Sequence, residues 1–149
     1  MKLTMQQITQ GEDEVILKYR EKTPEIERIV GFIKAGDKRL LGWCEKVQTV
    51  LEPEHILYFE SVDNKTYAYT KEEVYRVDYT LAELELLFVQ TGFFRCSKSM
   101  ILQMHHIKNL RSLSGNRIDA QMENGEHVII SRAYAVAFRK KLKGEDTDE

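Results

Sequence analysis

The chain has 149 residues, a formal net charge of −2, 42% hydrophobic and 31% charged residues. That is the size of one typical domain, long enough to bury a core without disulfides or metals to staple it. No apolar run approaches the roughly 18 residues of a membrane span, and Met1 to Glu14 carries no signal-peptide core, so an unexported, cytoplasmic protein is expected. Cys44 and Cys96 lie far apart without a Cys-x-x-Cys spacing and read as free thiols, one of them buried.

The predicted elements alternate short strands with small helices. Val15 to Tyr19 reads as a strand, and Thr23-Pro24 opens a helix with threonine as N-cap and proline at the first helical position. Ile26, Ile29, Val30 and Ile33 keep helical spacing, with Gly36 as the expected C-cap. Arg39 to Trp43 and Lys46 to Leu51 read as a hairpin, broken by Pro53 before the apolar strand His55 to Ser61. A turn at Asp63 to Lys65 leads into strands over Thr66 to Thr70 and Glu73 to Asp78, whose tyrosines suit a half-buried sheet.

Thr80-Leu81-Ala82-Glu83 is a capping box: the hydroxyl can accept the third amide while the glutamate reaches back to the threonine N–H. Leu81, Leu84, Leu87 and Phe88 then share one helical face, and Gly92 is expected to end the helix. Phe93 to Cys96 reads as extended, Ser97-Lys98-Ser99 as an exposed polar loop. Short apolar runs follow at Met100 to Leu102 and Ile107 to Leu110. Ser114-Gly115-Asn116 is a turn, Arg117 to Met122 alternates like a strand, and Asn124-Gly125 signals a hairpin returning over His127 to Ile130. Ser131 caps a last helix, Arg132 to Lys143, and the acidic residues after it form a disordered tail. The fold class is α+β, predominantly antiparallel β.

Charge is segregated. Phe94 to Ile118 contains no acid but five bases, and Ser131 to Gly144 likewise holds Arg132, Arg139, Lys140, Lys141 and Lys143. The acids cluster at Glu12 to Glu27 and in the tail from Glu145. One face can then meet a polyanion although the total is near neutral, and two solvated surfaces fit the charges equally well.

Motifs for chemistry are missing. The eight glycines are scattered without a phosphate loop, and no nucleophile elbow is present. His105-His106 would point to opposite faces of a strand and lack a nearby ligand set, so no metal, no cofactor, no small-molecule substrate and no enzymatic activity are expected. Glu72-Glu73 and Glu83/Glu85 read as surface or capping carboxylates. Arg95 and Lys98 flank Cys96 and would favour a thiolate if they point at it; a half-buried strand cysteine is the alternative.

Three segments stand together in order: Ile56-Leu57-Tyr58-Phe59-Glu60-Ser61 with the Asn64-Lys65 loop; the leucine-rich helix leading into Phe93-Phe94-Arg95-Cys96-Ser97-Lys98-Ser99; and Asn124-Gly125, a strand, then Ile130-Ser131-Arg132-Ala133-Tyr134. This constellation resembles the LytTR DNA-binding domain, over about Arg39 to Lys143. The chain departs from the family where members often carry Val-Asn-Leu after the serine; here Leu102-Gln103-Met104 stands instead.

The resemblance implies an elongated stack of small β-sheets whose loops enter successive major grooves, with a homodimer on repeated half-sites. It places base reading at Lys65, Lys98 and Arg132, with Thr66 competing for the role of Lys65. Arg95 and Ser99 become phosphate or loop-positioning residues, and Lys108, Arg111, Lys140 and Lys141 phosphate contacts. Arginine and lysine suit these roles because both reach guanine O6 and N7, arginine bidentately. Residues 1–38 form an extension unlike a phosphoacceptor receiver, expected to mediate dimerisation or docking of a membrane-protein inhibitor; 39–143 form the DNA-binding domain and 144–149 the tail. A protein-interaction module that never meets DNA is the alternative reading.

Overall fold

The computed structural model of the chain describes residues 1–35, 40–88 and 92–144. Gly36 as a C-cap, Arg39 and the tail beyond Gly144 therefore lie outside the described residues. Among the described residues three helices and ten strands follow in order: α1 (Pro24–Ala35), β1 (Leu40–Cys44), β2 (Val47–Leu51), β3 (Tyr58–Val62), β4 (Lys65–Tyr69), β5 (Val74–Val77), α2 (Leu81–Leu87), β6 (Phe93–Arg95), β7 (Met100–Gln103), β8 (Ile107–Leu113), β9 (Arg117–Met122), β10 (His127–Ile130) and α3 (Arg132–Leu142). Seven strands form one sheet in the order β2-β1-β5-β4-β3-β7-β6, and β10-β9-β8 form a second. Every pairing among them is antiparallel. The class is the expected α+β.

The large sheet is covered on both faces, and strand alternation decides which residue serves which side. Phe59, Ala68, Val77 and Ile101 join Leu81 and Leu84 of α2 in one core. Their neighbours Tyr58 and Leu102 join Ile118, Ala120, Met122, Val128 and Ile130 of the small sheet, with Ala135 and Phe138 of α3, in the other. Phe59 and Phe138 are fully buried, each contributing about 1.5–3 kcal/mol relative to exposure. Tyr58 stacks on Tyr69 with centroids 4.5 Å apart, and Phe94 meets Phe138 edge-on at 5.4 Å.

Local rules hold where partners are local. Thr80 Oγ1 accepts from Glu83 N at 3.1 Å while Glu83 Oε1 accepts from Thr80 N at 3.2 Å, the full capping box. Thr23 Oγ1 accepts from Ile26 N at 3.3 Å at the start of α1. Ile26 of that helix is buried, Ile29 and Val30 half-buried, and Ile33 exposed. At Gly31 an added Cβ would lie 2.9 Å from Leu86 Cβ, so α1 rests closely on α2.

Other expectations are corrected. Val15 to Tyr19 forms no strand: residues 1–23 carry no helix or strand, and Val15 and Ile16 are 69% and 68% exposed. A strand needs a ladder partner, and the sequence alone supplied only the propensity. Helix α2 ends at Leu87 with Phe88 as C-cap, before Gly92. Gly92 instead permits a close approach: a Cβ there would sit 2.2 Å from Gln103 Oε1. The strand expected from His55 starts at Tyr58, His55 closing a 3-10 turn over Pro53–His55. His105 and His106 lie in another 3-10 turn, Met104–His106, rather than on a strand.

The two hairpin signals exchange weight. Asp63 and Asn64 both have positive φ, 51° and 63°, which is the two-residue turn that matches strand twist, closed by the Val62–Lys65 pair. At Asn124-Gly125 only the glycine is left-handed, at 88°. Gly125 N donates to Met122 O and Met122 N to Glu126 O, a longer loop with a bulge.

Candidate nucleic-acid interface

Two backbone hydrogen bonds gather the three sequence segments. Ser61 N, beside the β3–β4 turn, donates to Ser99 O at 2.8 Å; Ser131 N, at the start of α3, donates to Cys96 O at 2.9 Å. The Cys96–Ser99 loop is thus tied on one side to the turn that carries Lys65 and on the other to the helix end that carries Arg132. Loops held at both ends to a rigid scaffold are suited to presenting side chains to a partner.

Lys65, Lys98 and Arg132 are all exposed. Thr66, next to Lys65, is buried at 6% exposure, so its side chain is withdrawn from the surface where Lys65 projects. Arg132 occupies the first turn of α3 after Ser131, whose backbone is extended as an N-cap should be but whose hydroxyl makes no capping bond. Among the described residues no carboxylate engages Lys98 or Arg132.

Arg95 faces the loop rather than solvent. Its Nε donates to Ser97 O at 2.7 Å and an Nη to Lys98 O at 2.6 Å, while the other Nη lies 3.4 Å from Glu85 of α2. Ser99 N donates to Ser97 Oγ at 3.2 Å, closing the loop from within. Gln103, standing where family members often have asparagine, is buried, and its Oε1 accepts from His105 N at 3.5 Å.

The remaining basic residues divide. Lys108, Lys140 and Lys141 are exposed. Arg111 reaches Asp119 at 3.3 Å, and the ring of His127 bonds the same carboxylate at 2.9 Å, so this buried acid is matched by two partners on neighbouring strands. Arg139 donates to Asn116 Oδ1 at 2.9 Å, bracing the β8–β9 turn against α3.

Cys96 is fully buried, and its thiol donates to Met100 O at 3.4 Å. Burial pushes that thiol up to about 12; the positive charge of Arg95 lowers it by less. A thiolate at neutral pH is thereby disfavoured, and Cys96 lies just past the end of β6, fully buried rather than half-buried in a strand. Cys44 is the partly exposed thiol, bonded to Glu73 at 3.6 Å and raised by desolvation and by that carboxylate.

Glu85 and the two inter-segment hydrogen bonds were not legible in the sequence. The acid that meets Arg95 lies ten positions away in α2, and nothing in its spacing marks it.

The structure thus ties three polar segments together by backbone hydrogen bonds, and the bases Lys65, Lys98 and Arg132 that they carry are exposed. In the comparison with known families, the family of the LytTr DNA-binding domain matches residues 46–143, and the chain belongs to that family. The family is one of DNA-binding domains, not of enzymes.

A solved structure from Bacillus cereus, described as the LytTr DNA-binding domain of a putative methyl-accepting/DNA response regulator, superposes with a TM-score of 0.67 at 31% identity, covering 70% of this chain and 97% of that one. The sensory transduction protein LytT of Bacillus cereus is 32% identical over 90 residues, 60% of this chain and 37% of its own length. An uncharacterized HTH-type transcriptional regulator of Staphylococcus aureus is 23% identical over 119 residues, 78% of this chain and 80% of its own. The chain thus spans little more than a third of that LytT protein. No helix among the described residues is long and apolar enough to cross a membrane.

Proposed function

We propose that the protein is a cytoplasmic transcription regulator that binds double-stranded DNA sequence-specifically, reading repeated promoter half-sites through loops set in the major groove. The observation that carries this is the pair of backbone hydrogen bonds tying the Lys98 loop to the Lys65 turn and to the Arg132 helix end. In this reading Lys65, Lys98 and Arg132 meet base edges, and Lys108, Lys140 and Lys141 meet phosphates. Arg111 keeps its bond to Asp119 and adds charge to the same surface.

Selection of binding sites from a random duplex library tests it. Arg132→Ala and Lys98→Ala should each weaken the selected site by about 1–3 kcal/mol and relax preference at separate positions. A library that enriches no motif, or binding without a salt slope, would overturn the reading and favour a protein-interaction module.

The protein acts as a homodimer in this proposal, with residues 1–38 serving dimerisation or docking of a membrane-protein inhibitor. Support comes from the exposed apolar side chains Leu3, Met5, Ile8, Val15 and Ile16 along a segment without regular structure, since unfilled apolar surface of that kind suits a partner. Light scattering on a chain starting near Gly36 checks it: an unchanged dimer, equally regulated, removes the extension from both roles.

A further inference from the structure

We propose that Glu85 is a positioning residue for base reading: from α2 it holds the Arg95 guanidinium in the setting that grips the Ser97 and Lys98 carbonyls, and so fixes where Lys98 meets the groove. The inference rests on the reading of Lys98 as a base contact and adds to it a residue that touches no DNA.

The geometry engages all three guanidinium nitrogens. Two of them bind consecutive carbonyls, Ser97 O at 2.7 Å and Lys98 O at 2.6 Å, and the third meets Glu85 at 3.4 Å. Consecutive carbonyls held by one planar fork fix the peptide between them, because the donors of a guanidinium have a fixed mutual geometry. That peptide leads straight into the Lys98 side chain. Ser99 O, one residue on, is fixed to Ser61 N.

Without an acid nearby, a permanently charged arginine at the edge of a basic surface would turn to solvent or to a phosphate. The stretch Phe94 to Ile118 contains no Asp or Glu, so the counter-charge must come from another element, and α2 brings Glu85 to it. The Arg95 side chain is 21% exposed against 42% for Glu85, so the carboxylate closes the solvent side of the fork. Glu85 also adjoins Leu86, on which α1 rests, so the loop is fastened to the same helix that carries the N-terminal extension.

The test compares Glu85→Gln, Arg95→Lys and Arg95→Ala with the unsubstituted chain. Each is measured for binding to the selected site, to single-base variants of it and to a nonspecific duplex across salt concentrations. Amide hydrogen exchange is followed at Ser61 and Ser99, and thermal melting reports folding. Glu85→Gln and Arg95→Lys are both expected to lower discrimination at the base pair sensitive to Lys98→Ala, on the order of tenfold, with the salt slope unchanged. Exchange at Ser99 and Ser61 should rise several-fold in both.

Arg95→Lys keeps the charge but loses the fork. Full discrimination in that variant, together with a shallower slope in Arg95→Ala, would make Arg95 a phosphate contact and overturn the proposal. A uniform gain in affinity for every sequence in Glu85→Gln, with discrimination kept, would reduce Glu85 to a repulsive surface charge and overturn it too. If the unsubstituted chain selects no site, the function itself fails, and unchanged exchange in Glu85→Gln then overturns the positioning role separately.

Discussion

Residues 1–22 and the Cys96–Ser99 loop both lack helix and strand, yet they differ physically. Residues 1–22 are almost wholly exposed, and their apolar side chains Leu3, Met5, Val15 and Ile16 face outward. The Cys96–Ser99 loop is as irregular in backbone, but its carbonyls at Cys96, Ser97, Lys98 and Ser99 all accept hydrogen bonds, from Ser131, Arg95 and Ser61. Irregularity therefore says nothing about order. What separates the two is whether the backbone polar groups have been given partners by elements distant in sequence.

The sharpest way to break that contrast is to remove what holds one flank of the loop. Phe138 is fully buried in the core that seats α3, and Phe138→Ala should cost about 3–5 kcal/mol, measured by denaturant unfolding. The Ser131–Cys96 bond depends on that seating, so exchange at Ser131 should approach that of residues 1–22. A loss under about 1 kcal/mol would mean that α3 is not what anchors this side of the loop.

A smaller effect comes from the clasp between the two sheets. Glu123 accepts from the His106 ring at 2.9 Å and from Lys71 at 3.3 Å, and His106 in turn bonds the Glu54 carbonyl. The hydrogen bond from His106, and secondarily Lys71, holds the Glu123 carboxyl below its ordinary value of 4.5. A lowered folded value means that the contribution is fully present above about pH 4.5 and is lost as pH falls through the folded value. The melting advantage of the native chain over Glu123→Gln should be small, flat above pH 5, and shrink below it, because solvent screens so exposed a group. An advantage that grows on acidification would refute the assignment.

The smallest expected change sharpens the contrast from the other side. At concentrations low enough to keep the protein monomeric, deleting residues 1–22 should shift the unfolding free energy by no more than about 0.5 kcal/mol, the range for changes away from packed features. A larger loss would show that the segment is bound to the domain after all.

Elements whose partners lie within a few residues were legible from the chain. The Thr80–Glu83 capping box and the Thr23-Pro24 helix start depend on spacing, and both are realised. Val15 to Tyr19 failed because β-propensity is satisfied only by a neighbouring strand, and none pairs with it. Gly92 misled for the converse reason: its need for space comes from Gln103 and His105, across the chain, and not from a helix end.

The candidate site divides the same way. Sequence alone determined which residue types are available, the bases Lys65, Lys98 and Arg132, the last two in acid-free stretches, because charge pattern and family motifs are properties of the chain order. Only the tertiary structure decided that the three segments are hydrogen-bonded together, that Thr66 is turned inward, and that Arg95 grips a loop while Glu85 restrains it. Those are outcomes of hydrogen bonds and burial between residues up to dozens of positions apart, and no local rule carries that information.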